Sequence, residues 1–172
     1  MSRVTSIEEL SNLKSKIETE RKFTKQVLIC GGTGCISSGS NEIADKMTEK
    51  VKAAGKENEI RVIKTGCFGF CEKGPIVKIL PDNTFYTEVT PEDADRLVET
   101  HLLKEEKIEE LLFVDPVTKN KISDSDHMDF YKKQERVALR NCGVIDPENI
   151  EDYLLYDGYT ALDKVLKMSQ QE

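Results

Sequence analysis

Four of the five cysteines in this sequence stand in two close pairs within glycine-rich stretches. Cys30 and Cys35 enclose the stretch CGGTGC, and Cys67 and Cys71 follow in TGCFGFC after an interval of 31 residues. Four thiolates that converge can hold an inorganic centre, and two-iron iron–sulfur clusters use four cysteines. The sequence therefore predicts Cys30, Cys35, Cys67 and Cys71 as the ligands of a [2Fe-2S] cluster.

Glycine suits the surroundings of such a cluster, because a backbone without a Cβ approaches closely and adopts positive φ angles. Cluster sulfurs also accept hydrogen bonds from backbone N–H groups. The glycines in and beside the two pairs are Gly31, Gly32, Gly34, Gly66 and Gly69. Phe68 and Phe70 fit two roles equally, a shield against water or a filler of the core.

Structural zinc is the main alternative centre. Zinc ribbons usually place two residues between paired cysteines and often use histidine, whereas the spacers here are four and three residues. A dithiol redox site is disfavoured because the sequence has no Cys-x-x-Cys. Histidine ligation is disfavoured because His101 and His127 lie far from both pairs, and we assign neither to a site. Cys142 is predicted to be a small buried apolar residue.

Each cysteine pair follows a predicted strand. Residues 26–30 form a short apolar run before the first pair, and residues 59–64 alternate in polarity before the second. Between these strands, residues 41–54 carry apolar side chains at helical spacing, and Gly55 ends the helix. We expect the two strands to bring both cysteine loops to one edge of a sheet.

A hairpin and a second helix complete the predicted domain. Two apolar runs flank the turn sequence PDN, which is a hairpin signal. Thr90 and Pro91 then cap and open a helix that ends near Leu103. The order strand, helix, strand, hairpin, helix predicts an α/β, thioredoxin-like fold with a mixed sheet over residues 26–104.

The flanking segments have a different character. Ser6 and Glu9 match a capping box, which predicts a short amphipathic N-terminal helix within residues 1–25. We expect this helix to pack on the main domain or on a partner helix. Residues 105–172 are rich in turn formers and predict an extended C-terminal connector with two helices, the first opened by Asp146 and the second following Asp157.

Composition limits the kinds of partner. The formal net charge is −7, with acidic and basic residues mixed along the chain. This balance argues against nucleic acid, whose phosphates require basic clusters, and against an anionic membrane surface. No apolar run is long enough for membrane insertion, and the N-terminal sequence lacks the features of a signal peptide. The sequence therefore predicts a cytoplasmic protein in a reducing compartment, where five cysteines would not form a disulfide framework.

Three stretches of the sequence resemble one known domain. CGGTGC, TGCFGFCEKGPIV and FYTEVTPEDADRLVETHLL look like the thioredoxin-like [2Fe-2S] ferredoxin domain. That domain opens the NADH-binding flavoprotein subunit of bifurcating iron hydrogenases and related NAD(P)-reducing hydrogenases, and a similar one forms a small subunit of complex-I-like NADH dehydrogenases. The stretch ERVALRNCGVIDPENIEDYLLYDGYTALDKVL resembles the entrance to the flavin-binding domain of the same flavoprotein subunit.

The resemblance implies a role in one-electron transfer. By this resemblance, the cluster ligands are expected to be Cys30, Cys35, Cys67 and Cys71. The expected partners are a flavoprotein and iron–sulfur or hydrogenase subunits. It also implies that residues 105–172 are a connector and the start of a missing flavin-binding domain. FMN and NAD(P) are expected only in that downstream domain or in a partner, and a homo-oligomer is left open. The rival hypothesis is a structural or docking module in which zinc or a cluster only staples two loops together.

Overall fold

The computed structural model describes residue 4 and residues 6–169. The predicted segments 1–25 and 105–172 include residues 1–3, 5 and 170–172, which lie outside this described part. The chain divides into two compact units. The larger unit is Phe23–Ile145, and the smaller one combines the described parts of Met1–Lys22 and Asp146–Glu172.

A four-stranded mixed sheet organises the larger unit. Its strands are β1 (Lys25–Cys30), β2 (Ile60–Thr65), β3 (Val77–Leu80) and β4 (Thr84–Tyr86), in the spatial order β2-β1-β3-β4. The central strand β1 runs parallel to β2 and antiparallel to β3, and β3 and β4 form an antiparallel hairpin. This topology confirms both predicted strands and the hairpin.

Helices connect and cover these strands. Two helices follow β1, a short α2 (Thr33–Ser37) and the longer α3 (Ser40–Ala53). After β4 the chain turns at Thr90, whose side chain and backbone form the predicted capping box with Asp93. The helix that follows begins as a 3₁₀ turn, continues as α4 (Ala94–Arg96) and widens to π geometry over Leu97–Leu102.

The two faces of β1 contribute to two different hydrophobic clusters. Val27 and Ile29 lie in the first cluster, together with the apolar faces of α3 and the helix after Thr90. Leu28 and Cys30 alternate with them and lie in the second cluster. Because strand side chains point to opposite faces in turn, this alternation places Cys30 among apolar residues on the opposite face from α3.

Within the predicted connector, residues 105–145 form short elements of their own. They form a small hairpin of β5 (Phe113–Val114) and β6 (Lys121–Ile122), followed by a short helix, α5 (Asp129–Lys132). Phe113 and Met128 are buried in the second hydrophobic cluster. The segment therefore packs as part of the larger unit, because its apolar residues supply one side of that core.

The smaller unit consists of three helices, α1 (Ile7–Glu20), α6 (Ile150–Leu155) and α7 (Thr160–Leu166). The predicted cap is confirmed, since the Ser6 hydroxyl accepts the backbone N–H of Glu9 at 3.1 Å. The structure groups α1 with residues 146–169 rather than with the sheet. Arg21 pairs with the buried Asp152 at 2.5 Å within this unit.

The predicted start of α6 at Asp146 is wrong. The helix begins at Ile150, where the side chain of Asn149 accepts the backbone N–H of Glu151 at 2.9 Å. Asp146 instead caps a turn by accepting the N–H of Glu148. In the part of the chain that the structure describes, no helix is both long and apolar enough to cross a membrane.

Candidate metal centre

Both cysteine loops leave the sheet at the same edge, as the sequence predicts. Cys30 ends β1 and pairs in register with Thr65, which ends the parallel strand β2. The backbone N–H of Gly31 then donates to the carbonyl of Thr65 at 2.8 Å, so the two chains stay together beyond the last strand residues. The loops that carry the two cysteine pairs therefore start side by side.

The first pair is buried. Cys30 is 1 % exposed at the end of β1, and Cys35 is 2 % exposed within α2. The Cys35 thiol lies close enough to the Cys30 thiol for the two to interact. The helix α2 begins directly after Gly32, and this short helical turn brings Cys35 back towards the strand end that carries Cys30.

The second pair lies nearer to solvent. The sulfur atoms of Cys67 and Cys71 are 3.9 Å apart, and the backbone N–H of Gly69 donates to the Cys67 sulfur at 3.2 Å. Gly69 has a φ of +79°, which favours glycine and lets the loop turn its N–H towards that sulfur. Cys71 is exposed and opens a 3₁₀ turn, Cys71–Lys73.

Two glycines bring the pairs together. A Cβ added at Gly32 would lie 3.1 Å from the Cys67 sulfur and 3.5 Å from the Cys30 sulfur, so Gly32 stands between one cysteine of each pair. A Cβ at Gly74 would lie only 2.6 Å from the Cys35 sulfur, and 3.5 Å from the carbonyl oxygen of Cys71. A side chain at one or the other of these glycines would therefore crowd the thiols of Cys30, Cys35 and Cys67.

This donor set fits an iron–sulfur cluster in its chemistry. Two pairs of thiols stand on neighbouring loops with Gly32 between Cys30 and Cys67, and one loop supplies a backbone N–H that already points at a sulfur. Within residues 4 and 6–169, no three or more His, Cys, Asp or Glu side chains are arranged to hold a single metal ion. The fit therefore rests on the chemistry of two thiol pairs on neighbouring loops and on the glycine that lies between them.

The crowding of the thiols changes their acidity. Burial first, and then the adjacent Cys30 thiol, raise the pKa of the Cys35 thiol to about 12. The pKa of Cys71 is also raised, chiefly by its hydrogen bond with the Cys67 thiol. Because thiolates are the ligands of metals, binding of a metal centre here must release these protons.

Aromatic residues of the segment after the hairpin cover the second cysteine loop. Phe70 stacks at a tilt on Phe130, with ring centroids 4.7 Å apart, and meets Phe113 edge to face at 5.3 Å. Phe68 is buried and meets Phe85 at 5.6 Å. Phe68 and Phe70 therefore fill the core beside the cysteines, and a role in shielding a cluster from water stays a prediction.

Sequence reasoning missed two residues that contact this loop. The hydroxyl of Tyr131 donates to the carbonyl of Phe68 at 3.1 Å, and the guanidinium of Arg136 donates to the same oxygen. Burial raises the pKa of Tyr131 above its ordinary value, although the charge of Arg136 opposes this shift. The only sequence signal was an aromatic cluster, DFYK, in a stretch otherwise rich in turn formers.

The fifth cysteine and the histidines lie elsewhere. Cys142 is half-buried against the loop, and a Cβ at Gly66 would lie 3.1 Å from its sulfur. His101 is buried in the helix after Thr90, where it contacts Tyr86 and Asp82. His127 is exposed in a 3₁₀ turn.

Comparison with known proteins decides the family. The model of the family described as Thioredoxin-like [2Fe-2S] ferredoxin matches residues 3–102, more than half of the chain. The chain belongs to this family. A [2Fe-2S] ferredoxin of Clostridium pasteurianum is 36 % identical over 77 residues, which cover 45 % of this chain and 76 % of that protein.

Two further relatives complete the comparison. The HndC subunit of the NADP-reducing hydrogenase of Solidesulfovibrio fructosivorans is 58 % identical over 41 residues, covering 24 % of this chain and 8 % of that subunit. The crystal structure of the wild-type thioredoxin-like [2Fe-2S] ferredoxin from Aquifex aeolicus shares 31 % identity, with a TM-score of 0.49. The matched region covers 54 % of this chain and 99 % of the Aquifex aeolicus ferredoxin.

Membership of the family confirms several predictions. The fold is the predicted α/β, thioredoxin-like ferredoxin fold, and the cofactor is the predicted [2Fe-2S] cluster. The chain is therefore a ferredoxin-like electron carrier. The division into segments 1–25, 26–104 and 105–172 stays a prediction, as do the ligand residues.

Proposed function

We propose that this chain is the [2Fe-2S] electron-transfer module of an NAD(P)H-linked redox complex, with Cys30, Cys35, Cys67 and Cys71 as the cluster ligands. The observation that carries the ligand assignment is the position of Gly32. Its missing side chain leaves space between a sulfur of the first pair and a sulfur of the second. Cys142, whose sulfur lies beside Gly66, is left out of the set because it belongs to neither cysteine pair of the sequence.

The cluster supplies reversible uptake of one electron, and the surrounding residues control its environment. The buried Cys30 and Cys35 would hold the cluster from among apolar residues, which would limit the access of water. Cys71 would hold it from an exposed position close to solvent. Electron exchange with a partner is therefore expected at the loop around Cys71, because electron transfer requires close approach.

The relationship to HndC supports the wider setting. This relative is a subunit of an NADP-reducing hydrogenase, and its matched stretch of 41 residues is 58 % identical to this chain. We therefore place the chain beside a flavoprotein and iron–sulfur or hydrogenase subunits. In this setting FMN and NAD(P) are bound by a partner or by a downstream domain, and a complex-I-like NADH dehydrogenase is the related alternative.

The experiment compares the purified chain with the assembly from its own cells. A tagged copy is isolated without oxygen, and its cluster signal is followed by electron paramagnetic resonance. The proposal predicts that NADH or NADPH reduces the cluster within the isolated assembly, and that flavin is present there. The recombinant chain alone is expected to respond to dithionite but not to either nucleotide. An assembly whose cluster is reduced by dithionite and ignores both nucleotides would contradict the proposed setting.

A further inference from the structure

The peptide group between Phe68 and Gly69 is hydrogen-bonded at both ends. Its N–H, on Gly69, donates to the sulfur of Cys67 at 3.2 Å. Its carbonyl, on Phe68, accepts the hydroxyl of Tyr131 at 3.1 Å and the guanidinium of Arg136. One peptide group therefore connects two side chains of the later segment directly to a proposed cluster ligand.

Arg136 is held in this position by several contacts. Its other terminal nitrogen donates to the carbonyl of Cys142 at 3.3 Å, and its guanidinium carbon lies 5.5 Å from the centre of the Tyr131 ring. A Cβ at Gly69 would lie 2.8 Å from the guanidinium, so the glycine leaves the space that Arg136 fills. The guanidinium is planar and stays charged, which suits it to grip a carbonyl in a fixed orientation.

Hydrogen bonds to one end of a peptide group strengthen those at the other end. A donor at the carbonyl draws electron density towards oxygen and makes the N–H a better donor, by roughly 10–30 % for each bond in a chain. A charged donor has the larger effect. Hydrogen bonds to the sulfurs of an iron–sulfur cluster in turn help to set its reduction potential.

We propose that Arg136 and Tyr131 raise the reduction potential of the cluster through the Phe68–Gly69 peptide group. They are positioning residues, because they act on the cluster only through that peptide. The inference rests on the proposed function in taking Cys67 as a ligand. Reduction adds one electron and therefore negative charge at the ligand sulfurs, so a stronger N–H donor stabilises the reduced state. No protein bond forms or breaks in this step.

The direct test compares Arg136→Gln with Arg140→Gln in the anaerobically purified full chain. Both arginines line the same cavity of about 260 Å³, and each variant removes one positive charge. The two arginines differ in one respect. In the part of the chain that the structure describes, Arg136 donates a hydrogen bond to the Phe68 carbonyl and Arg140 does not. A redox titration with dithionite is expected to give Arg136→Gln a more negative potential than the wild type and a larger shift than Arg140→Gln.

Two further variants separate the hydrogen bond from the charge. Tyr131→Phe removes one donor to the Phe68 carbonyl without altering charge, and a smaller shift in the same direction is expected. Arg136→Lys keeps the charge and a donor, so it should restore much of the potential lost in Arg136→Gln. These variants also keep the test open if Arg136→Gln does not retain its cluster.

A second readout reports the hydrogen bond itself. Electron–nuclear double resonance of the reduced cluster detects exchangeable protons near the ligand sulfurs. The coupling of the Gly69 amide proton, assigned by selective ¹⁵N-glycine labelling, is expected to weaken in Arg136→Gln and Tyr131→Phe and to be unchanged in Arg140→Gln.

Equal shifts in Arg136→Gln and Arg140→Gln, with no shift in Tyr131→Phe, would overturn the proposal and leave only a general effect of charge. Unchanged potentials in Arg136→Gln and Tyr131→Phe would show that the two side chains only pack the segment. Failure of the proposed function is a different result, because the wild-type chain would then lack a cluster that dithionite reduces.

Discussion

Gly32 lies between the two cysteine loops, and an added Cβ there would be 3.1 Å from the sulfur of Cys67. The same Cβ would be 3.5 Å from the sulfur of Cys30. Parallel pairing of β1 with β2 produces this closeness, because both strands end at the same edge of the sheet. The space proposed for the cluster thus exists because Gly32 has no side chain.

The first prediction is that Gly32→Ala lowers the amount of cluster bound per chain. The new methyl group would press on two proposed ligands, and the loops would have to separate to admit both the methyl group and the iron. Iron and acid-labile sulfide, measured per chain after anaerobic reconstitution, are expected to fall well below the wild-type values.

Gly34→Ala is the matched control for this prediction. Gly34 lies in the same loop, but an added Cβ there meets no atom within 4 Å. Its cluster content should equal that of the wild type. Equal losses of cluster in the two variants would mean that alanine disturbs helix α2 at either position. The role given to Gly32 would then be wrong.

The second prediction concerns the ligands themselves. Cys30→Ser and Cys67→Ser each remove one sulfur from the proposed set, so the cluster should be lost or become labile, with bleaching of the visible absorption. Cys142→Ser should leave the visible spectrum intact, because Cys142 belongs to neither cysteine pair and is not a proposed ligand. A similar loss of colour in all three variants would refute the ligand assignment.

Much of this site could be predicted because its signals are local in sequence. The cysteines follow strands whose apolar runs are short and clear, and Thr90 and Pro91 mark the start of a helix that the structure confirms. The two loops meet because β1 and β2 are parallel neighbours. That relationship follows from the order of the elements in the chain.

The contacts of Arg136 and Tyr131 could not be predicted for the opposite reason. Arg136 is 68 residues from Phe68, and Tyr131 is 63 residues from it. The short elements of residues 105–145 have too few residues to show a period of two or of 3.6. Their fold depends on burying Phe113 and Met128 in a core built by distant residues.

The third prediction is that Tyr86→Phe destabilises the larger unit. The buried Tyr86 hydroxyl accepts the backbone N–H of Ile108 at 3.1 Å and lies 2.8 Å from Nδ1 of His101. Loss of the hydroxyl leaves both groups without this partner, which should lower the free energy of unfolding by about 1–3 kcal/mol. Urea unfolding under anaerobic conditions, followed by circular dichroism, measures the change.

Tyr156→Phe is the control for the third prediction. Tyr156 is exposed, so removal of its hydroxyl should change the free energy of unfolding by less than about 0.5 kcal/mol. A Tyr86→Phe variant as stable as this control would show that the buried hydroxyl contributes nothing.

The fourth prediction is a dependence of stability on pH that arises from His101. Burial lowers the pKa of His101 below its ordinary value of 6.5, although the nearby carboxylate of Asp82 opposes the shift, while Lys107 and Lys25 add to it. The unfolded chain therefore binds the proton more readily than the folded chain. This contribution to stability is complete above about pH 6.5 and is lost as the pH falls towards the lower folded pKa.

Urea unfolding at about pH 7.5 and about pH 5.5 measures this dependence. The loss of stability on acidification should be smaller in His101→Gln than in the wild type. His127→Gln, at an exposed position, should keep the wild-type dependence. An unaltered dependence in His101→Gln would assign the effect to other groups.

The central claim is that four cysteines of two neighbouring loops hold a [2Fe-2S] cluster that accepts one electron. The most direct measurement is analysis of iron and acid-labile sulfide in anaerobically purified chain, combined with electron paramagnetic resonance before and after dithionite. The account predicts about two irons and about two sulfides per chain, and about one unpaired electron spin after reduction. A chain that carries one zinc, or that binds neither iron nor sulfide, would contradict it.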